Sequence, residues 1–236
     1  MTQRAFPILM YHQVGTPAPR GTPSRSLCVA TDDFASHMRW LKRFGYRGVS
    51  MRDLMPYLEG KKTGKVIGIT FDDGYRNVHV NALPVLQELG FTATNYFVSG
   101  EIDGFNRWDV AKGIPQAACM SKAELREWAA LGHEVGSHTS SHPRLDQIAP
   151  ADARQEILDS RHRLEDLIGG PVDAFCYPHG GVNAAVRDMV EEAGYTNATT
   201  IKSRRARAND DPLLLPRLTV RRGYGWARVL IKSLIG

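Results

Sequence analysis

The sequence predicts an α/β fold, an irregular (β/α) barrel with about seven parallel strands. Short apolar runs of strand character alternate with capped, amphipathic helical segments along all 236 residues. Strands separated by helices pair in parallel through right-handed crossovers. The Asp and His clusters that could do chemistry also fall just past the ends of apolar runs, where such folds carry their sites. An open doubly wound sheet would satisfy the same pattern and stands as the alternative.

The elements follow in order. Pro7 to His12 reads as a strand, with Ile8, Met10 and His12 on one face. Residues 13–30 carry Gly and Pro without periodicity and read as a loop. Thr31-Asp32-Asp33 opens a helix that Gly45 stops, and Ser50 with Asp53 resembles a capping box for a short helix to Leu58. Gly60 to Gly64 is a basic turn. Val66 to Phe71 is a buried strand, Asn77 to Leu89 a helix ended by Gly90, and Phe91 to Val98 the next strand. Residues 99–120 form a long irregular segment containing Trp108, and loops of that length are often functional. Ser121 and Glu124 make a second capping box, for a helix to Leu131. Strands at His133–Ser137, Val172–Tyr177, Tyr195–Thr200 and Leu214–Val220 then alternate with helices at Ala151–Ile168 and Ala184–Ala193. A last helix runs from Gly225 to Ile235. One core over residues 1–236, a single catalytic domain, is the expected organisation.

Hydrophobic content of 42% and charged content of 23% are ordinary for a globular protein. The net charge of +5 is unevenly placed. Residues 201–236 hold nine Lys/Arg against Asp210 and Asp211, which leaves 21 basic and 23 acidic residues before them. A basic end of this kind suits anionic lipid, a phosphate-bearing substrate or nucleic acid, or is a solvated edge. Nucleic acid is not expected, because no aromatic–basic interleaving accompanies the arginines. Cys28, Cys119 and Cys176 are odd in number and widely spaced, so no disulfide framework is expected. No stretch approaches the ~18 apolar residues of a membrane span, and the start of the chain lacks signal-peptide character. A cytoplasmic location, with membrane association through the basic end as an option, is the expectation.

Two motifs carry the chemistry: Thr70-Phe71-Asp72-Asp73-Gly74 and His138-Thr139-Ser140-Ser141-His142. Asp72 and Asp73 stand where a strand ends, and Gly74 permits a tight turn. If the backbone turns there, one carboxylate can bind a metal while the other stays beside it as a base. His138 and His142 share a face over one helical turn, and Pro143 keeps that turn short. Alone, each motif also suits a surface turn. Together they make a His, His, Asp ligand set with open positions for water.

With Phe175-Cys176-Tyr177-Pro178-His179-Gly180-Gly181 and Leu215-Pro216-Arg217-Leu218-Thr219-Val220, these motifs resemble the polysaccharide deacetylases of the NodB-homology type. The resemblance spans Ile8 to about Arg222. It implies an irregular (β/α) barrel of that type and metal-dependent removal of acyl groups from sugars. Matched by position, Asp73, His138 and His142 would hold one divalent ion. Zn2+ is the first expectation, with Co2+, Ni2+, Fe2+ or Mn2+ also suited to the set. Asp72 would be the general base. The backbone N–H of His179 would face the oxyanion, with Tyr177 and Gly180 in the same groove wall.

This chain departs from the commonest pattern twice. Cys176 stands where most members have the Arg that orients the base, and no histidine follows His179 to serve as general acid. A subset of the family takes the Arg from a later motif and the acid from near the N-terminus. Arg217 and His12, in Leu9-Met10-Tyr11-His12, match that subset. Trp108 either stacks on a sugar ring or anchors its loop. The last helix either covers the barrel bottom or lies in a membrane interface. The function implied is N-deacetylation of an amino sugar in a glycan or glycan precursor. The alternatives are deformylation or deacylation of a lipid-linked sugar, and a catalytically silent carbohydrate-binding protein.

Overall fold

The computed structural model describes residues 5–235. Its main sheet has eight strands. In spatial order run Asn197–Thr199, Ala174–Cys176, Glu134–Ser137, Thr94–Phe97, Val66–Phe71, Ile8–Tyr11 and Leu218–Thr219. Every neighbouring pair is parallel. Arg47–Val49 pairs with the first half of Val66–Phe71. The two ends of this run meet. Thr200 donates its N–H to the Leu215 carbonyl at 2.8 Å, and Leu215 donates to Ala198 at 2.9 Å. The sheet therefore curls into an irregular barrel, and the open-sheet alternative is set aside. Its strands read as continuous apolar runs because helices cover the outside while side chains fill the inside.

The helices lie close to the expected ones, at Thr31–Arg43, Met51–Leu58, Lys122–Ala130, Pro150–Ile168, Ala184–Glu192 and Trp226–Ile235. Ser121 and Glu124 form both halves of a capping box. Ser50 caps Asp53, but the Asp53 carboxylate accepts from Thr92 instead of returning to the cap. Several expectations change. Residues 13–30, expected as a loop, contain the strands Gln13–Val14 and Cys28–Val29, which pair in parallel with each other. The helix expected over 77–89 is two helices, Arg76–Asn81 and Leu83–Leu89. Pro84 has no N–H to continue the ladder across Ala82, so the chain restarts there. The strand expected over 214–220 shrinks to Leu218–Thr219. Pro216 interrupts pairing, and Leu215 bonds to the opposite neighbour. Arg47–Val49, which begins two residues after the Gly45 turn, is a strand too short for periodicity to reveal.

The C-terminal helix lies against another helix and ties back to the last strand through Lys232, which donates to the Thr219 carbonyl at 2.9 Å. It packs on Thr31–Arg43, where Trp226 stacks on Trp40 with centroids 4.2 Å apart, and it leaves Ile231, Leu234 and Ile235 exposed. Among the described residues, no helix is long and apolar enough to cross a membrane.

Candidate metal centre and active-site groove

Four strands deliver the polar residues to one end of the barrel. His12 follows Ile8–Tyr11, Asp72 and Asp73 follow Val66–Phe71, His138 follows Glu134–Ser137, and His179 follows Ala174–Cys176. Successive strand residues face opposite ways, so Asp72 and Asp73 can share one site only through a backbone turn. Asp73 supplies it with φ of 79°, followed by Gly74 at 70°. A Cβ on Gly74 would lie 2.7 Å from Phe97, so only glycine fits. His142 is turned inward in the same way, at φ 66°, with its N–H on the Thr139 hydroxyl.

Asp73, His138 and His142 converge. Each imidazole Nε2 lies close to Asp73 Oδ1, at 3.5 Å for His138 and 3.4 Å for His142. Ligands about 2.0–2.1 Å from a tetrahedral ion stand about 3.3 Å apart, so the spacing matches the edges of such a site. The His138 ring hydrogen-bonds the Cys176 carbonyl through Nδ1 at 2.7 Å, which leaves the Nε2 lone pair directed inward. Burial lowers the His142 pKa and favours the neutral imidazole that a metal requires. Burial alone would raise Asp73, but His142, His12 and His138 hold it well below the ordinary carboxylate range. A second cluster, Asp72 with His138 and Cys176, is also close enough to be considered. It does not fit a metal. Burial pushes the Cys176 thiol far up, and both oxygens of Asp72 are occupied by Arg217.

Arg217 is fully buried. It enters from the start of the last strand and rises through the barrel interior. Nη1 and Nη2 donate to Asp72 Oδ1 and Oδ2 at 2.6 and 2.8 Å. Nη1 also reaches the Thr70 hydroxyl at 3.0 Å, and Nε reaches the Thr200 carbonyl at 3.1 Å. Its Nη2 lies 3.0 Å from Cys176 Sγ, so the small side chain at 176 leaves room for the guanidinium. Burial would raise the Asp72 pKa, but the charge and hydrogen bonds of Arg217 keep it depressed, with His12 and His138 contributing. A bidentate pair of this kind fixes the carboxylate's plane as well as its charge. His12 stands on the other side of Asp72, with Nε2 3.9 Å from Oδ2, and its buried Nδ1 has no hydrogen-bond partner among the described residues.

These groups floor an open groove of about 760 Å3. Trp108 forms one wall, its ring centroid 5.0 Å from that of His142. His179, at φ 57°, sets its ring edge-on to His142 with centroids 4.5 Å apart. Burial, with the nearby His142, pushes its pKa down to about 4. Tyr177 borders the groove but is committed to packing. It is 1% exposed and donates its hydroxyl to Leu213 at 2.9 Å. Gly180 does not line the groove. It serves the turn at φ 68°, where a Cβ would stand 2.5 Å from Ile201.

Sequence reasoning missed Glu156. Its carboxylate accepts the N–H groups of Ser140 and Ser141 at 2.9 and 2.8 Å and the Ser141 hydroxyl at 2.6 Å. The loop between the two histidine ligands is thereby tied to the Pro150–Ile168 helix. Glu156 is one of many charges on that helix, and no local pattern marks it.

Residues 59–198 match the family model described as polysaccharide deacetylase. The chain belongs to the polysaccharide deacetylase family. Membership makes it a hydrolase of the polysaccharide-deacetylase type. Among solved structures it is similar to the Streptococcus pyogenes deacetylase PplD in complex with acetate, with 25% identity and a TM-score of 0.85 over 98% of this chain and 99% of that one. The Bacillus cereus polysaccharide deacetylase BC0361 is 27% identical with a TM-score of 0.83, covering 98% of this chain and 69% of that one. Among curated proteins, the poly-β-1,6-N-acetyl-D-glucosamine N-deacetylase of Staphylococcus aureus is 21% identical over 83% of this chain and 69% of its own length.

Proposed function

We propose that the chain, acting through one catalytic unit, removes N-acetyl groups from an amino sugar within a glycan or glycan precursor. The observation that carries this is the juxtaposition of two differently held carboxylates. Asp73 faces two imidazoles, while Asp72 next to it is clamped by Arg217. The similarity to a poly-N-acetylglucosamine N-deacetylase supports the choice of acyl group.

Asp73, His138 and His142 would hold one divalent ion, with Zn2+ the first choice for a set of two imidazoles and one carboxylate. When bound, the ion supplies Lewis acidity toward water and the acyl oxygen. Asp72 accepts the proton of the attacking water, and its depressed pKa keeps it ionised throughout the neutral range. Arg217 aims the carboxylate and holds its charge. The backbone N–H of His179 donates to the developing oxyanion. His12 delivers a proton to the nitrogen of the departing amine, which is too basic to leave as an anion. Trp108 offers an aromatic face to the sugar ring.

Asp72→Asn is expected to abolish acetate release from N-acetylglucosamine oligomers while metal content, measured by elemental analysis, stays near one ion per chain. His138→Ala should lose both. Loss of metal from the Asn variant would reverse the roles given to the two carboxylates. For the basic end we propose contact with anionic lipid, which would suit a lipid-linked substrate, because Ile231, Leu234 and Ile235 are exposed on a helix that also carries Arg228.

A further inference from the structure

Beyond the metal centre the groove does not stop. Its far wall includes Ser24 and Leu27, and Ser24 is also the border of a second depression of about 370 Å3 lined by Gly21, Thr22, Arg25, Ser26 and Arg222. Two distant parts of the chain meet there. The Arg222 N–H donates to the Ser26 carbonyl at 2.8 Å, and Arg221 Nη1 donates to the Ser26 hydroxyl at 3.0 Å. Arg25 is steadied by its Nε on the Ala18 carbonyl at 2.6 Å, and its terminal nitrogens make no hydrogen bond among the described residues.

The charge around these arginines differs from that of the groove itself. The groove's own cations are neutralised, Lys112 by Asp109 and Arg144 by Asp146, each at 3.1 Å. Among the described residues, Arg25, Arg221 and Arg222 have no carboxylate partner, and no Asp or Glu lines the second depression. Three like charges brought together by these two segments repel each other, and a bound anion relieves that repulsion. Guanidinium forks with flanking Thr22, Ser24 and Ser26 hydroxyls are donors only or donor-capable, the chemistry that recognises phosphate or carboxylate.

We propose that Arg25 and Arg222 form an anion subsite at the end of the catalytic groove, and that it takes a phosphate or carboxylate group carried by the glycan. The glycan itself rests on the deacetylase reading above. A chain whose acylated sugar lies over Asp72 would pass across Ser24, so its negative substituent would meet these arginines. The enzyme would thereby select acidic over neutral glycans.

The test compares the metal-loaded wild type, R222Q and R25Q/R222Q on three substrates: a neutral N-acetylglucosamine oligomer, the same oligomer bearing a sugar phosphate, and one bearing a uronate. The wild type should favour at least one acidic oligomer in kcat/KM. The acidic-to-neutral ratio should fall at least tenfold in the double variant, through KM, and added salt should shrink the wild-type ratio. Phosphate preferred over uronate, or the reverse, identifies the anion. Equal kcat/KM on acidic and neutral oligomers, or a ratio that the substitutions leave in place, overturns the subsite. Calorimetric titration with the same oligomers decides the matter without turnover. If no oligomer releases acetate, the deacetylase reading fails, while tighter binding of an acidic oligomer that R222Q weakens still upholds the subsite, and equal binding rejects it. R222Q keeps the main-chain bond to Ser26, so it reports on charge even where R25Q disturbs the loop.

Discussion

Arg217 shows how one side chain can carry a fold and a reaction at once. Its guanidinium is sealed inside the barrel, where Asp72, Thr70, Thr200 and Cys176 accept its hydrogen bonds and the Tyr96 ring lies against it. Taking away one member of a buried ion pair leaves the other charged and unsolvated, at a cost of about 3–5 kcal/mol. Arg217→Met should therefore lower stability by about that amount in denaturant titration and reduce kcat more than it raises KM, because Asp72 loses its orientation. Arg217→Lys should recover stability better than rate, since an ammonium cannot hold two carboxylate oxygens in one plane. The candidate Arg was legible as a residue in a motif. Its path up the interior was not, because no local spacing connects position 217 with position 72. Cys176 is the complementary case. It reads as a gap in a motif, and in the fold it is the small residue that makes room for Arg217.

The loop from His138 to His142 was legible as two ligands on one turn, but not as a braced element. Thr139 and His142 both sit at positive φ, a conformation that costs about 1–3 kcal/mol at each such residue and needs support from its surroundings. Glu156 supplies it through two N–H groups and a hydroxyl, and Ser99 and Gly100 donate from the far side to Thr139 and Ser140. Glu156→Ala should thus weaken metal affinity about 10–100-fold, read by competition with a chelator, while the circular dichroism of the fold is retained. An unchanged affinity would mean that packing alone holds the loop. The segment 99–120, anticipated as a long functional loop, positions Trp108 against His142. Its backbone is fastened at Met120, whose N–H bonds Gly74.

Considered as a single body, the protein separates a catalytic end from a basic, partly apolar flank. The flank is built by the stack of Trp226 on Trp40 and by His37, which bridges the Tyr11 hydroxyl and the Tyr224 carbonyl. Ile231→Asp/Leu234→Asp should abolish co-sedimentation with anionic vesicles if this face contacts lipid, and equal sedimentation of wild type and variant would remove the idea. Global stability should also depend on pH through buried neutral histidines. Burial pushes the His133 pKa down to about 4, and its Nδ1 accepts the Ala93 N–H. The folded state then binds fewer protons than the unfolded one below the ordinary imidazole value. Stability is full above about pH 6.5 and falls as pH drops toward 4, by on the order of 3 kcal/mol for this group. His37, His142 and His179 act in the same direction. His133→Gln should flatten the decline measured by urea unfolding between pH 6.5 and 4.5. An identical slope would show that His133 is not among its causes.

The strand–helix alternation, the capping box at Ser121 and the DDG and HxxxH motifs were determined by the sequence itself, since each is a matter of neighbours within a few residues. From these follow the α/β class, the ligand types and the family. Tertiary structure decided what required distant residues to meet. It closed the barrel through Leu215, set His12 beside Asp72, brought Arg217 to Asp72 through the space that Cys176 leaves, and joined Ser26 to Arg222. Local periodicity carries no information on such meetings. They are fixed by how the strands register and curl, which only the packed whole specifies.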